Sequence, residues 1–137
     1  MRVVKDEQDL VFESDEADVC VPRAVVPDFV VECEKVAKRR GVIIAAVGHA
    51  GDGNTHCMIL RQGQSDEEWP KVLEDAIEEL INLSISMGGT VSGEHGLGYT
   101  KRQYLERKIG KTQVEIMKAI KTAFDPNNIL NPNKIWI

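Results

Sequence analysis

The stretch "HAGDGNTH", from His49 to His56, constrains the fold of this chain more than any other segment. It places two histidines at the ends of a short glycine-rich turn, between the apolar segments "VIIAAVG" and "CMIL". The pair Asp52-Gly53 is a strong signal for a two-residue type I′ turn. The segment therefore predicts an antiparallel hairpin in which the numbers of paired residues sum to 105.

In that hairpin His49 and His56 face each other directly, on one face of the sheet, with Cβ atoms about 4.5 to 5.5 Å apart. At this separation two imidazole nitrogens can converge on one metal ion. The neighbouring glycines keep side-chain bulk away, so that a substrate or a backbone segment can approach closely. We interpret the pair as a metal clamp, although the pattern alone fits a hydrogen-bonded pair of surface histidines equally well.

A second glycine-rich segment, "GGTVSGEHGLGYT" from Gly88 to Thr100, carries the third histidine of the chain. Glu94 in this segment is the natural third ligand, because two histidines and one carboxylate leave open metal positions for a substrate. The next residue, His95, is then the candidate acid-base group. Taken alone, however, Glu94 and His95 fit an ordinary loop better than a functional site.

The remaining pattern predicts an α+β fold, in which an antiparallel-rich sheet carries helices on one face. Extended segments are expected around Leu10 to Phe12 and Asp18 to Val21, and "GVIIAAVGH" is predicted as a strand buried on both faces. Helices are predicted from Pro27 to a stop at Gly41, from Asp66 to about Met87, and from Thr112 to Phe124. Ser65 with Glu68, and Thr112 with Glu115, have the spacing of capping boxes.

Composition limits the class of protein. The 137 residues, 42% apolar and 28% charged, suit one soluble globular domain over residues 1–137. No apolar run approaches the roughly 20 residues of a membrane span, and "MRVVKDEQDL" is not a signal peptide, so we expect a cytoplasmic chain. Three cysteines without CxxC spacing predict neither disulfides nor a thiolate zinc site.

Charge argues against nucleic acid as a partner. The net charge is −5, and seven carboxylates without a lysine or arginine lie between Asp6 and Asp18. The basic residues cluster between Lys101 and Lys111. This cluster is either the solvated face of a helix or a surface that attracts an anionic ligand or partner.

Three motifs carry a family resemblance. "GHAGDGNTH", "GGTVSGEHGLGYTK" and "AFDPNNILNPNK", in this order and preceded by "DVCVPR", resemble the C-terminal half of the FAD-linked oxidases. That family includes the glycolate oxidase D subunit, D-lactate dehydrogenase and D-2-hydroxyglutarate dehydrogenase. The resemblance covers roughly residues 18–134 and implies a partial ferredoxin-like substrate (cap) domain followed by a C-terminal helical segment.

The resemblance also implies roles for individual residues. His49, His56 and Glu94 match the metal ligands of the family, with zinc, manganese or iron as the divalent ion, and His95 matches its catalytic histidine. In the chemistry that the resemblance implies, the metal holds a 2-hydroxy acid, the histidine takes the hydroxyl proton, and a hydride passes to FAD. Asn131 and Pro132 match a segment that returns to the flavin-binding domain, so they are the candidate cofactor-binding residues.

The departures from the family pattern lead to a further expectation. These 137 residues contain no counterpart of the family's glycine-rich flavin-binding loop, so we expect them to lack the N-terminal flavin-binding domain. Several upstream substrate-binding positions are missing or unmatched, and a rough alignment puts Glu16 where the hydroxyglutarate enzymes have a lysine. We therefore expect a C-terminal fragment that cannot turn over alone, that needs a flavin-binding domain of the same or another chain, and whose apolar surface could produce a homo-oligomer. The alternatives are a non-catalytic metal- or organic-acid-binding module that docks on a separate flavoprotein, and hydrolytic zinc chemistry, which the lack of a helical HExxH motif disfavours.

Overall fold

The computed structural model describes the backbone of residues 2–5 and 11–135, and the side chains of residues 16–135. The chain forms two compact units, Met1–Glu94 and His95–Ile137. The single domain of residues 1–137 stays a prediction. In the first unit the elements are β1 (Arg2–Lys5), β2 (Val11–Cys20), α1 (Val26–Arg40), β3 (Ile43–His49), β4 (Asn54–Leu60) and α2 (Trp69–Ser86). In the second they are α3 (Arg102–Ile109) and α4 (Lys111–Phe124).

The sheet of the first unit is antiparallel throughout, in the order β1-β2-β4-β3. Helix α1 packs against β3, and α2 packs against β2 and α1. The α+β prediction, with helices on one face of an antiparallel sheet, is thus confirmed. The two extended segments expected near the N-terminus belong to the single strand β2, apart from Val21, which directly follows the strand, and Leu10, which lies outside the described residues. Strand β1 was not predicted.

Helix α1 ends where the sequence predicts. Proline lies in its first turn, and Gly41 closes it in the left-handed conformation at φ 65°, with its N–H donating to the carbonyl of Ala37. Its buried residues, Phe29, Cys33 and Val36, recur at helical spacing and turn toward the sheet.

Helix α2 begins at Trp69, three residues after the predicted start. The predicted capping box precedes it: the Ser65 N–H and hydroxyl donate to the Glu68 carboxylate, and the Glu68 N–H donates to the Ser65 hydroxyl at 3.2 Å. These bonds hold the pKa of Glu68 below its ordinary value, and the bond from the Ser65 backbone N–H contributes most.

Strand β3 contradicts the prediction of a strand buried on both faces. It is an edge strand, and Ile43 and Val47 are 41% and 52% exposed. The apolar run predicted burial because pattern alone does not distinguish a central strand from an edge strand with apolar residues on an exposed face. Strand β4, in contrast, lies between β2 and β3, and from Thr55 onward its residues are alternately buried and partly buried.

The second unit begins with a helix that was not predicted. Helix α3 contains most of the basic cluster, and its arginines have local tasks: Arg102 lies over the Tyr99 ring and donates to the Asn133 carbonyl, while Arg107 lies over the Tyr104 ring. Most of the basic cluster thus lies on helix α3, and the two interpretations of the cluster stay predictions.

Helix α4 begins at Lys111, one residue before the predicted start, but its predicted capping box is wrong. No side-chain cap bond forms there, because Gly110 occupies the N-cap position. Beyond α4, Asp125 accepts backbone hydrogen bonds from Ile129 and Leu130, both at 2.9 Å, and so shapes the turn that follows. Among the described residues, no helix combines the length and apolarity that crossing a membrane requires.

Candidate metal and substrate site

The histidine hairpin has a different register from the predicted one. His49 pairs with Asn54 and His56 pairs with Val47, so that paired residue numbers sum to 103 rather than 105. The connection runs through Ala50 to Gly53 instead of a two-residue turn. The prediction that His49 lies directly opposite His56 is therefore wrong.

The reason lies in how the turn is held. The N–H groups of Asp52 and Gly53 both donate to the His49 carbonyl, at 2.9 and 3.0 Å, and Val21 donates to the Gly53 carbonyl at 3.0 Å. Gly53 has φ +79°, and a Cβ there would lie 2.0 Å from the Val21 carbonyl oxygen. Packing of the turn against the end of β2 thus selects a longer connection than the local sequence predicts.

The two histidines nevertheless share one face of the sheet. Because successive side chains on a strand point to opposite faces, a register that differs by two residues keeps both histidines on the same face. It places them at diagonal positions instead of directly opposite each other. Their ring centroids lie 5.9 Å apart, with the ring planes at 82°. We call this side of the sheet the histidine face; Cys57 and Ile59, on the opposite side, are fully buried.

Glu94 is brought to the histidine face by a loop that follows α2. Gly89 and Thr90 begin this loop, and the Thr90 N–H donates to the Cys20 carbonyl at 2.7 Å. The Ser84 hydroxyl of α2 donates to the Thr90 carbonyl at 2.9 Å. A Cβ on Gly89 would lie 2.3 Å from the Cys20 oxygen, so glycine permits this close approach.

Asp18 completes the attachment of the loop. Its fully buried carboxylate accepts hydrogen bonds from the Ser92 hydroxyl at 3.0 Å and from the N–H groups of Gly93 and Glu94, both at 3.1 Å. A Cβ on Gly93 would lie 2.5 Å from an Asp18 oxygen and 2.1 Å from Asn54 Oδ1. The backbone that carries Glu94 is therefore held directly against β2 and β4.

These contacts bring the three predicted ligands together. One ligand atom from each of His49, His56 and Glu94 lies within 4.8 Å of the other two. His56 Nε2 is 3.1 Å from Glu94 Oε1. The side chain of His56 is 15% exposed and that of Glu94 is 51% exposed, so the cluster is partly shielded yet reachable from solvent.

The donor set suits a divalent transition metal. Two imidazoles and one carboxylate are typical ligands of zinc, manganese and iron, and three protein ligands leave coordination positions for a substrate. Asn54, in the same row of the sheet as His49, adds a buried Oδ1 that has no hydrogen-bond partner among the described residues. A buried acceptor of this kind is normally satisfied by a donor, a water or an ion.

Sequence reasoning placed neither of two acids at this site: it gave Asp18 no role, and it named Glu16 only as the position where the hydroxyglutarate enzymes have a lysine. Asp18 and Glu16 both lie on β2, and Glu16 Oε1 is 2.5 Å from His56 Nδ1. The signal was present, since residues 16 and 18 are two positions apart on a strand and therefore point to the same face. It was not usable, because only the pairing of Asp18 with His56 shows that this face is the histidine face.

The other predicted site residues belong to the second unit, which begins at His95. His95 is exposed and directly follows Glu94 in the chain. Asn131 and Pro132 are exposed residues of the turn region after Asp125, where Asn131 has φ 50°. Their roles stay predictions.

The fold and this cluster define an α+β domain with a candidate metal site on one face of its sheet. Residues 10–135 match the model of the family described as FAD linked oxidases, C-terminal domain. The chain belongs to this family, as its three motifs indicated.

Individual relatives agree with the family match. The chain is 41% identical, over 119 residues, to the glycolate oxidase subunit GlcD of Bacillus subtilis; the match covers 87% of this chain and 25% of that protein. It is 36% identical over 121 residues to a D-lactate dehydrogenase of Anaerostipes hadrus, covering 88% and 26%. It is 36% identical over 122 residues to a D-2-hydroxyglutarate dehydrogenase of Stutzerimonas stutzeri, covering 87% and 26%. The chain thus spans about a quarter of the length of these relatives.

Proposed function

We propose that this chain is the substrate- and metal-binding C-terminal part of an FAD-dependent 2-hydroxy-acid dehydrogenase or oxidase. A glycolate or D-lactate type is favoured, because relatives bear those names and the glycolate oxidase subunit is 41% identical. The observation that carries the proposal is the convergence of His49, His56 and Glu94 within 4.8 Å, from two segments far apart in the sequence.

The proposed metal ligands are His49, His56 and Glu94, with zinc, manganese or iron as the ion. When bound, a divalent ion supplies Lewis-acid polarisation of the substrate hydroxyl and fixes the substrate carboxylate. The protein contributes a fixed set of donors: both histidines are held by the β3-β4 pairing, and Glu94 by the Asp18 hydrogen bonds to its loop.

In the proposed reaction a 2-hydroxy acid loses its hydroxyl proton and a hydride from C2, which leaves a 2-oxo acid. His95 is the proposed base for the proton, supported by its position next to Glu94 in the sequence and by the imidazole's suitability for proton transfer near neutral pH. The hydride would pass to an FAD held by a flavin-binding domain of the same or another chain. Asn131 and Pro132 are the proposed contact of this chain with that domain. The cytoplasm is the proposed location.

A chimaera tests the proposal. The matched C-terminal segment of the Bacillus subtilis glycolate oxidase subunit is replaced by this chain, and the flavin absorbance is followed without oxygen after addition of glycolate, D-lactate or D-2-hydroxyglutarate. We expect bleaching with glycolate or D-lactate, and its loss in His95→Gln.

The matched controls distinguish the alternatives. The chimaera must bind FAD and zinc or manganese at the level of the parent subunit. If it does so and no 2-hydroxy acid bleaches the flavin, the chain is a non-catalytic binding module and the proposed chemistry is wrong.

A further inference from the structure

Glu16 has no assigned task in the proposed reaction, yet its carboxylate makes one of the shortest contacts of the site. Strand β2 places it beside Met58 of β4, two positions from the pair formed by Asp18 and His56. It is therefore a diagonal neighbour of His56 on the histidine face. Its Oε1 lies 2.5 Å from His56 Nδ1, and its side chain is 36% exposed.

The two nitrogens of His56 point at different groups. Nδ1 lies against Glu16, while Nε2 lies 3.1 Å from Glu94 Oε1, on the side where His49 and Glu94 converge. A neutral imidazole carries its proton on one nitrogen and its lone pair on the other. Carboxylates accept hydrogen bonds and do not donate them, so Glu16 and Glu94 compete for the one imidazole hydrogen. The contact with Glu16 is the shorter, 2.5 Å against 3.1 Å, and therefore favours the tautomer with hydrogen on Nδ1.

We propose that Glu16 is the positioning residue of His56. It holds the imidazole in the Nδ1–H tautomer and fixes the ring orientation, so that the Nε2 lone pair faces the ligand cluster. The metal-binding part of this inference rests on the proposed function, whereas the tautomer does not. Carboxylates that accept the second N–H of a ligating histidine act in this way at metal sites, and their loss typically lowers metal affinity about 10- to 100-fold.

Asp18 does not compete for this task, although it pairs with His56 across the strands. Its nearest oxygen is 3.8 Å from His56 Nδ1, beyond hydrogen-bond distance. Its carboxylate instead accepts from Ser92, Gly93 and Glu94. These two acids of β2 thus have separate tasks: Asp18 holds the loop of Glu94, and Glu16 holds the ring of His56.

Zinc affinity of the 137-residue chain, measured by competition with a chromogenic chelator, gives the first readout. The variants are Glu16→Ala, Glu16→Gln and, as a control with the same charge change as Glu16→Gln, Glu34→Gln on the exposed side of α1. We expect an affinity about 10- to 100-fold lower in Glu16→Ala, a smaller loss in Glu16→Gln, whose amide oxygen still accepts from Nδ1, and no change in Glu34→Gln. Equal losses in both Glu16 variants would show a charge effect only and would overturn the proposal.

The second readout is the His56 tautomer in the metal-free chain, from the 15N shifts and two- and three-bond couplings of the imidazole at a pH where it is neutral. We expect the Nδ1–H form in the wild type and in Glu16→Gln, and a shift toward the Nε2–H form in Glu16→Ala. An unchanged tautomer in Glu16→Ala overturns the inference. A wild type with the expected tautomer that binds no zinc contradicts the proposed metal function and leaves the role of Glu16 in the tautomer standing.

Discussion

The carboxylate of Asp18 accepts a hydrogen bond from the backbone N–H of Glu94, at 3.1 Å and across 76 positions of sequence. Asp18 is fully buried, and it reaches the same loop through Ser92 and Gly93. This contact fixes a proposed ligand by its backbone, which leaves the Glu94 side chain available for the ligand cluster. The geometry of the site therefore depends on a residue that is not itself a proposed ligand.

Asp18→Ala tests that dependence. The substitution leaves the N–H groups of Gly93 and Glu94 without their acceptor, so we expect the free energy of unfolding to fall by about 1–3 kcal/mol or more. We also expect weaker zinc binding, since the Glu94 loop is no longer held. Urea unfolding and chelator competition measure the two effects, with Asp52→Asn in the exposed turn as the control. Zinc affinity equal to that of the wild type would show that the loop does not need Asp18.

Gly93→Ala tests the close approach of the same loop. The added Cβ would lie 2.1 Å from Asn54 Oδ1 and 2.5 Å from Asp18 Oδ1, so the loop must move away from the sheet. We expect a loss of about 1–3 kcal/mol in unfolding free energy, as for other overpacked sites, together with reduced metal affinity. Gly51→Ala is the matched control, because its Cβ would meet nothing within 4 Å. Equal stability of the two variants contradicts the packing described here.

The Asp125 carboxylate is expected to make the stability of the turn after α4 depend on pH. The Lys121 ammonium, and then the Ile129 and Leu130 N–H groups, hold the pKa of Asp125 below its ordinary value of 3.8. A lowered pKa in the folded state means that the ionised carboxylate stabilises the fold above pH 3.8 and that this contribution disappears as the pH falls through the lower value.

Amide exchange of Ile129 and Leu130, corrected for the intrinsic rate at each pH, measures this effect. We expect Asp125→Asn to lower the protection of both amides at neutral pH, and the difference from the wild type to shrink as the pH falls below 3.8. A difference that stays constant with pH would show that charge on Asp125 has no part in the turn.

The cysteines provide a test of the packing between α1 and the sheet. The Sγ atoms of Cys33 and Cys57 are 3.9 Å apart and both residues are buried. The hydrogen bond with Cys33, and then burial, raise the pKa of the Cys57 thiol far above its ordinary value. Since the thiolate is the reactive form, we expect iodoacetamide to modify the half-buried Cys20 well before Cys33 and Cys57, and all three equally in denaturant. Rapid modification of Cys57 in the folded chain would contradict this packing.

The sequence predicts local structure well where a residue acts on its own neighbours. Gly41 ends α1 and the Ser65–Glu68 box precedes α2, since both signals act within four residues. The second box fails because Gly110 takes the N-cap position. The predicted hairpin register is wrong for another reason. The pair Asp52-Gly53 favours a two-residue turn, but the hydrogen bond from Val21, a residue outside the hairpin, to the Gly53 carbonyl selects a longer connection.

The candidate site likewise contains residues that the sequence identifies and residues that only the tertiary structure identifies. His49, His56 and Glu94 could be proposed as a set because their residue types suit a metal and a resemblance supported them. Asp18 and Glu16 could not, since an acid on a strand has no evident partner until the sheet order and register are known. The proposed ligands are thus readable from the sequence, whereas the residues that hold them in place can be identified only once the tertiary pairing of the strands is known.

The measurement that tests the central proposal most directly is the metal content of the chain after incubation with zinc or manganese and removal of excess metal. It compares the wild type with His56→Ala and His95→Ala. We predict about one equivalent in the wild type and in His95→Ala, and none in His56→Ala, because three protein ligands are needed for a stable site. A wild type that takes up no metal, or a His56→Ala variant that retains it, would contradict the proposed site.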